Sequence, residues 1–317
     1  MSIDAAVLGA GFIGKNFVRY ALKKGYALSV LDHQPCPEEF DGRLKWIQGE
    51  MGRKEDLVRV LENAKTVFHF ISSTVPGDII DESVELQQNV FQTLQLLGLC
   101  VEKKIRRIVF TSSSSVYGIQ NDLPILESAT TSPISSHGIH KLTIEKYMEL
   151  YQQQHGLDCK IVRLSNPFGP GQSIHGRQGF IAIALGRITS GKAMEIRGDG
   201  GTIRDFIYID DVVQALDAMM QTRSHERVFN IGSGIGHSLN EVVDLLSRLT
   251  GIAIPVDYSP TRLVDIPISV LDIQKSWQIL GFSPKISLES GLEKTLMFHN
   301  IPFIKKQRNK EKKKDLM

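Results

Sequence analysis

The sequence predicts an α/β fold: a doubly wound parallel sheet with helices on both faces, followed by a smaller C-terminal α/β region. Three observations predict it. Short β-branched runs alternate with longer amphipathic stretches through the first half of the chain. The pattern Gly9-x-Gly11-x-x-Gly14 lies between the first such run and the first helical stretch, and the second run ends in a carboxylate, Asp32.

The strand candidates in order are residues 5–8, 27–32, 44–47, 66–70, 107–112 and 160–164, each short and β-branched. The amphipathic stretches between them, 16–24, 83–103 and 139–153, read as helices. At Asn166-Pro167-Phe168-Gly169-Pro170-Gly171 the pattern breaks, and the chain beyond is richer in glycine and proline. A first domain over 1–165 is therefore expected, with a second, smaller one over 166–202 and 235–304. Strand candidates 205–209 and 228–231, with helix 211–220 between them, are expected to return to the first sheet as part of 203–234.

The 317 residues are 42% hydrophobic and 23% charged, ordinary for a folded chain long enough to bury a full core. The net charge of +2 excludes a strongly basic nucleic-acid binder and an acidic solvating chain. That balance hides an asymmetry. Residues 305–317 carry seven basic and two acidic side chains, so this segment is at +5 and the rest of the chain at −3. It reads as a solvated, disordered end, with contact to an anionic membrane face or acidic partner as the alternative.

Three cysteines (Cys36, Cys100, Cys159), odd in number and without CxxC or histidine flanks, suggest neither a disulfide framework nor a metal site. A reducing cytoplasm is the expectation. The apolar opening 5–14 has no basic region before it, and charged residues follow at once. No stretch reaches the roughly 18 apolar residues of a membrane span.

The glycine pattern admits a tight turn and lets backbone N–H groups approach a pyrophosphate at the positive end of a helix. A lone pattern of this kind is weak evidence. Here strand, turn, helix and acidic end are all in place, and Asp32, 18 residues after Gly14, can accept from both ribose hydroxyls of an adenosine and repel a 2′-phosphate. The expected cofactor is NAD in a Rossmann-like domain.

Further motifs carry a resemblance. Gly9-Ala10-Gly11-Phe12-Ile13-Gly14, Asn89 in its helix, and Val109-Phe110-Thr111-Ser112-Ser113-Ser114-Ser115-Val116-Tyr117-Gly118 follow in order. Asn166-Pro167-Phe168-Gly169-Pro170-Gly171-Gln172, Arg204-Asp205-Phe206 and Arg262-Leu263-Val264-Asp265-Ile266-Pro267 come after them. In this order they resemble the extended short-chain dehydrogenase/reductases, and within them the NAD-dependent nucleotide-sugar epimerases similar to UDP-glucose 4-epimerase, from about residue 3 to about residue 298. Leu8 departs from the pattern, standing where that family usually has glycine.

The resemblance implies a set of roles. Phe12 and Ile13 would hold the cofactor pyrophosphate with their backbone amides, beside Gly9, Gly11 and Gly14. Asp32 and His33 would meet the adenosine ribose, and Glu50 and Met51 would lie beside the adenine. Phe70, Asn89 and Lys141 would complete the cofactor contacts. Asn166, Arg204 and Arg262 would hold the diphosphate of a UDP-sugar, with Asp265 on its ribose. Arginine suits phosphate oxygens and a carboxylate suits a diol, although Arg204 and Arg262 can also be read as ion pairs with Asp205 and Asp265. Two helices pairing across a two-fold axis would make a homodimer through a four-helix bundle.

Ser114-Ser115 precede Val116-Tyr117-Gly118 where related dehydratases and decarboxylases place carboxylates, so elimination is disfavoured. The implied reaction is reversible oxidation at the sugar C4, with Ser113 hydrogen-bonded to the reacting oxygen. The family's catalytic tyrosine precedes its lysine by four residues, and that position here is His137, ahead of Lys141. Histidine, with an ordinary pKa near 6.5, would be neutral beside positive charge and able to accept a proton. Three readings follow: an epimerase with His137 as base, an enzyme in which Tyr117 or another group takes the proton, or a binding protein without turnover. His140 and His155 read as solvent-facing or structural.

Overall fold

The computed structural model describes residues 3–72, 81–176, 178–262 and 265–304. Strand β1 (Ile3–Leu8) is buried along its last four residues and lies inside a seven-stranded parallel sheet. Its alternate residues enter different cores: Ala5 and Val7 pack with Phe17 and Phe68 on one face, Ala6 and Leu8 with Ile47 and Leu96 on the other. A strand apolar on both faces is stable only where helices cover both.

The glycine turn leads from β1 into α1 (Phe12–Lys23), and β2 (Leu28–Asp32) and β3 (Lys45–Gln48) extend the sheet on one side of β1. After α2 (Lys54–Val60) the chain crosses to the other side of β1 as β4 (Ala64–His69). The stretch expected as one helix over 83–103 is interrupted. It runs as α3 (Glu82–Leu86), a π turn (Gln87–Phe91) that admits one extra residue, and α4 (Gln92–Glu102).

Strand β5 (Arg107–Ser113), helix α5 (Ser136–His155) and strand β6 (Asp158–Leu164) continue outward. The strand order reverses between β1 and β4, which opens a crevice at the carboxyl ends of the strands, where ligands of such sheets bind.

The second half begins with β7 (Asn166–Phe168), α6 (Phe180–Ser190), β8 (Met194–Arg197), β9 (Ile203–Tyr208), α7 (Ile209–Gln221) and β10 (Val228–Ile231). Strand β10 pairs with β6 and becomes an edge of the main sheet. Strand β9, expected to return with it, does not. It pairs with β7, β11 (Gly236–Ser238) and β13 (Ile268–Ser269) in a small separate sheet, because β10 already occupies the free edge of β6. Helix α7 packs on α1.

The chain is completed by α8 (Leu239–Thr250), β12 (Val256–Ser259) paired with β8, α9 (Gln274–Leu280) and α10 (Leu288–Phe298). The basic segment 305–317 lies outside the described residues. Among those described, no helix is long and apolar enough to cross a membrane.

Candidate active site

The floor of the crevice is built by backbone. Gly9 has φ 91°, and a Cβ at Gly14 would stand 1.9 Å from the Gly9 carbonyl oxygen, so the turn and the first turn of α1 approach as only glycine permits. A Cβ at Gly11 would meet no atom, because that position faces open space. The amino end of α1, with Phe12 and Ile13, points its unpaired N–H groups and the positive pole of the helix into the crevice. This cradle fits a dinucleotide pyrophosphate.

Asp32, at the end of β2, braces the same turn. Its Oδ2 accepts from Ala10 N at 2.6 Å and its Oδ1 from Gln34 N at 2.9 Å. His33 is exposed, with Nδ1 3.4 Å from Asp32 Oδ1. Phe70, which follows β4, stacks edge-on against Phe17 and lies along the cradle.

The opposite wall comes from β5 and α5. Ser113 ends β5, and its Oγ accepts from Ser115 N at 3.1 Å and is 2.9 Å from Ser115 Oγ. With its acceptor side engaged, its own O–H can donate into the cavity. Helix α5 starts at an N-cap, Ser135, whose Oγ accepts from Gly138 N. His137 and Lys141 follow four residues apart and so share the face turned to the cavity.

Lys141 is buried, donates to the Thr111 carbonyl at 2.9 Å and sits 4.6 Å from the centre of the Phe110 ring. Burial pulls its pKa down to about 8, opposed by the negative charge of Glu145. Beneath this wall Glu145 pairs with Arg163 at 2.7 Å and accepts from Ser112 Oγ at 2.5 Å.

The structure corrects one reading. Tyr117, an alternative proton acceptor, is fully buried, donates to Asn230 Oδ1 at 2.6 Å and has its pKa pushed up to about 12 by burial. It does not line the cavity, so it is not placed to take a proton there. Of the two histidines read as solvent-facing or structural, His140 is buried and His155 is exposed.

Together the cradle, Phe70, Ser113, His137, Lys141 and Asn166 line one cavity of about 440 Å³. Residues that were not anticipated as site residues also line it: Ser72, Gln172, Gln178, Phe180 and Phe206. Gln172 and Phe206 each end a motif and could have been flagged; Ser72, Gln178 and Phe180 carry no local signal.

The remaining candidates stand off the cavity lining. Glu50 is exposed, Met51 is buried in the core, and Asn89 is buried on the π turn with Nδ2 donating to the Glu85 carbonyl. Arg204 donates to the Ile203 carbonyl, while Arg262 and Asp265 are ion-paired at 2.9 Å. Asp265 also accepts from Arg262 N. Asn166 Nδ2 donates to the Asp205 carbonyl, which ties β7 to β9.

Residues 5–232 match the profile described as the NAD dependent epimerase/dehydratase family. The chain belongs to that family. NAD is the cofactor of the family, and the glycine cradle above is where this member would hold it.

Among curated relatives, the chain is 29% identical over 300 residues to the UDP-glucose 4-epimerase of Mycolicibacterium smegmatis, covering 91% of this chain and 96% of that one. Among solved structures it is similar to a UDP-glucose 4-epimerase from Thermotoga maritima in complex with UDP-glucose. The TM-score is 0.89 and the identity 30%, over 94% of this chain and 99% of that one. It is likewise similar to the Thermus thermophilus UDP-glucose 4-epimerase complexed with NAD, at TM-score 0.87 and 28% identity, over 94% and 99%. The chain is thus an enzyme of the NAD dependent epimerase/dehydratase family, with the extended short-chain dehydrogenase/reductase fold.

Proposed function

We propose that this enzyme inverts C4 of a UDP-hexose, with His137 as the proton acceptor in place of the family's usual tyrosine. The observation that carries the reading is the meeting of His137, Ser113, Lys141 and the glycine cradle on one cavity, with no carboxylate among its described lining residues. Bound NAD would supply reversible acceptance of a hydride from C4. His137 would take the hydroxyl proton of the sugar and return it, and general-base catalysis of this kind contributes about 10²–10⁴ in rate. Ser113 would donate to the reacting oxygen, and the Lys141 ammonium would hold the cofactor ribose while keeping positive charge beside the base.

Asn166, Arg204 and Arg262 would hold the diphosphate and Asp265 the uridine ribose, which requires Arg262 and Asp265 to exchange their mutual contact for the ligand. In this reading residues 1–165 serve the cofactor, and 166–202 with 235–304 serve the nucleotide sugar. Exposed Phe91, Ile139 and Leu150, on the π turn and α5, support a homodimer through paired helices. All three cysteines are free, in keeping with a cytoplasmic location.

The test is incubation with NAD and a panel of UDP-sugars, read by NMR for C4 inversion, in the wild type and in His137→Ala. Turnover is expected in the wild type and a fall of at least about a hundredfold in the variant, with UDP affinity unchanged. Binding of sugars without any conversion would replace the epimerase with a binding protein. Wild-type turnover in His137→Ala would remove His137 from the base role.

A further inference from the structure

On α5, Ser136 and His140 occupy the stripe next to that of His137 and Lys141, and they meet Glu85 on α3. Glu85 is a carboxylate only 3% exposed. Ser136 Oγ donates to Glu85 Oε2, and His140 Nδ1, buried and with no hydrogen-bond partner among the described residues, lies 3.8 Å from the same oxygen. A carboxylate withdrawn from water persists where donors or a positive field offset the lost hydration. Here the field is the amino end of α5, whose first helical residue is Ser136. Glu85 also receives Asn89 Nδ2 on its carbonyl, so it joins the π turn to the start of α5.

We propose that Glu85 is a positioning residue for the active site. From α3 it holds the first turn of α5 through the Ser136 hydrogen bond, with the His140 ring one turn on packed against the same oxygen, and so sets the angle at which His137 and Lys141 enter the cavity. The inference rests on the reading of His137 and Lys141 as active-site groups. Ser135 caps α5 from within its own chain segment. Glu85 does so from a neighbouring helix, which adds what a local cap cannot: a fixed rotation of α5 about its axis. A displacement of about 1 Å at a reacting group is enough to cost on the order of a hundredfold in rate.

Glu85→Leu removes the acceptor, and Glu85→Gln keeps one of the same shape. In the full chain loaded with NAD, assayed on the UDP-sugar converted by the wild type, Glu85→Leu is expected to lower kcat about ten- to hundredfold. KM and retained NAD should stay within about twofold, and Glu85→Gln should recover most of kcat. A second measurement needs no turnover. In histidine-ring ¹H–¹⁵N spectra, the His137 resonance, identified by its loss in His137→Ala, should shift in Glu85→Leu and stay in place in Glu85→Gln.

An unmoved resonance in Glu85→Leu overturns the proposal. So does a fall of kcat and NAD retention with a rise of KM that Glu85→Gln fails to rescue, which marks a purely structural residue. His137→Ala turnover tests the base assignment separately, since wild-type activity there removes the base while the Glu85 result still reports the placement of Lys141.

Discussion

The two sides of the cavity are made differently. On the cofactor side the binding surface is backbone: a positive-φ glycine, a helix amino end, and a second glycine packed against the first more closely than any side chain allows. On the nucleotide-sugar side the proposed binding groups are side chains that already have partners in the chain, Arg262 with Asp265 and Arg204 with the Ile203 carbonyl. The first surface is organised before any ligand arrives. The second must trade contacts, so part of its binding energy is spent on exchange. The difference teaches why substitutions should divide into two classes, those that destroy a preformed shape and those that merely remove a charge.

The largest effect that tests this contrast is Gly14→Ala. The added methyl would stand 1.9 Å from the Gly9 carbonyl oxygen, so the turn must open. Loss of retained NAD and roughly 2–3 kcal/mol of stability are expected, measured by NAD content and urea unfolding. Normal NAD retention would break the account of a backbone-built site.

Arg262→Ala and Arg204→Ala should act more mildly and only on the other side. UDP affinity by calorimetry is expected to fall about tenfold for each, ~1.4 kcal/mol, with NAD content unchanged. The Arg262–Asp265 pair is partly exposed, so its loss should cost the fold no more than about 1 kcal/mol. An unchanged UDP affinity would return both arginines to the role of plain ion-pair or structural residues.

The smallest effect sharpens the comparison at the seam between the two sides. Lys141 is held near pKa 8 in the fold, below its ordinary value of about 10.4. The unfolded chain therefore binds more protons than the folded one between about pH 8 and pH 10, and stability attributable to this group rises with pH across that window. Thermal melts of the wild type against Lys141→Met should show the wild type gaining relative stability from pH 8 to pH 10. A parallel pH dependence in the two proteins would mean that Lys141 is not desolvated as described.

Much of this was legible in the chain itself, because the signals are local. The strand-turn-helix with Gly9, Gly11 and Gly14 encodes both a shape and a ligand class within a few residues. The four-residue spacing of His137 and Lys141 places both on one helical face without any coordinates. The β-branched runs announced strands wherever the main sheet has them in the first half. What the runs could not specify was partnership. Residues 203–208 form a strand where 205–209 was anticipated, yet which sheet takes them depends on β10 occupying the edge of β6, a matter of competition for hydrogen bonds between distant segments.

The same limit applies to single side chains. Tyr117 reads as available in a row of serines, and only packing against Arg163 and the bond to Asn230 removes it from the chemistry. Glu85 carries no motif, and it acquires meaning through a hydroxyl 51 positions away. The sequence by itself determined the fold class, the cofactor cradle and the face of α5 that bears His137 and Lys141, since each follows from backbone conformation and periodicity over a turn or two. The tertiary structure alone decided which polar groups are buried together, because desolvation makes those pairings and is a property of the packed chain rather than of any segment.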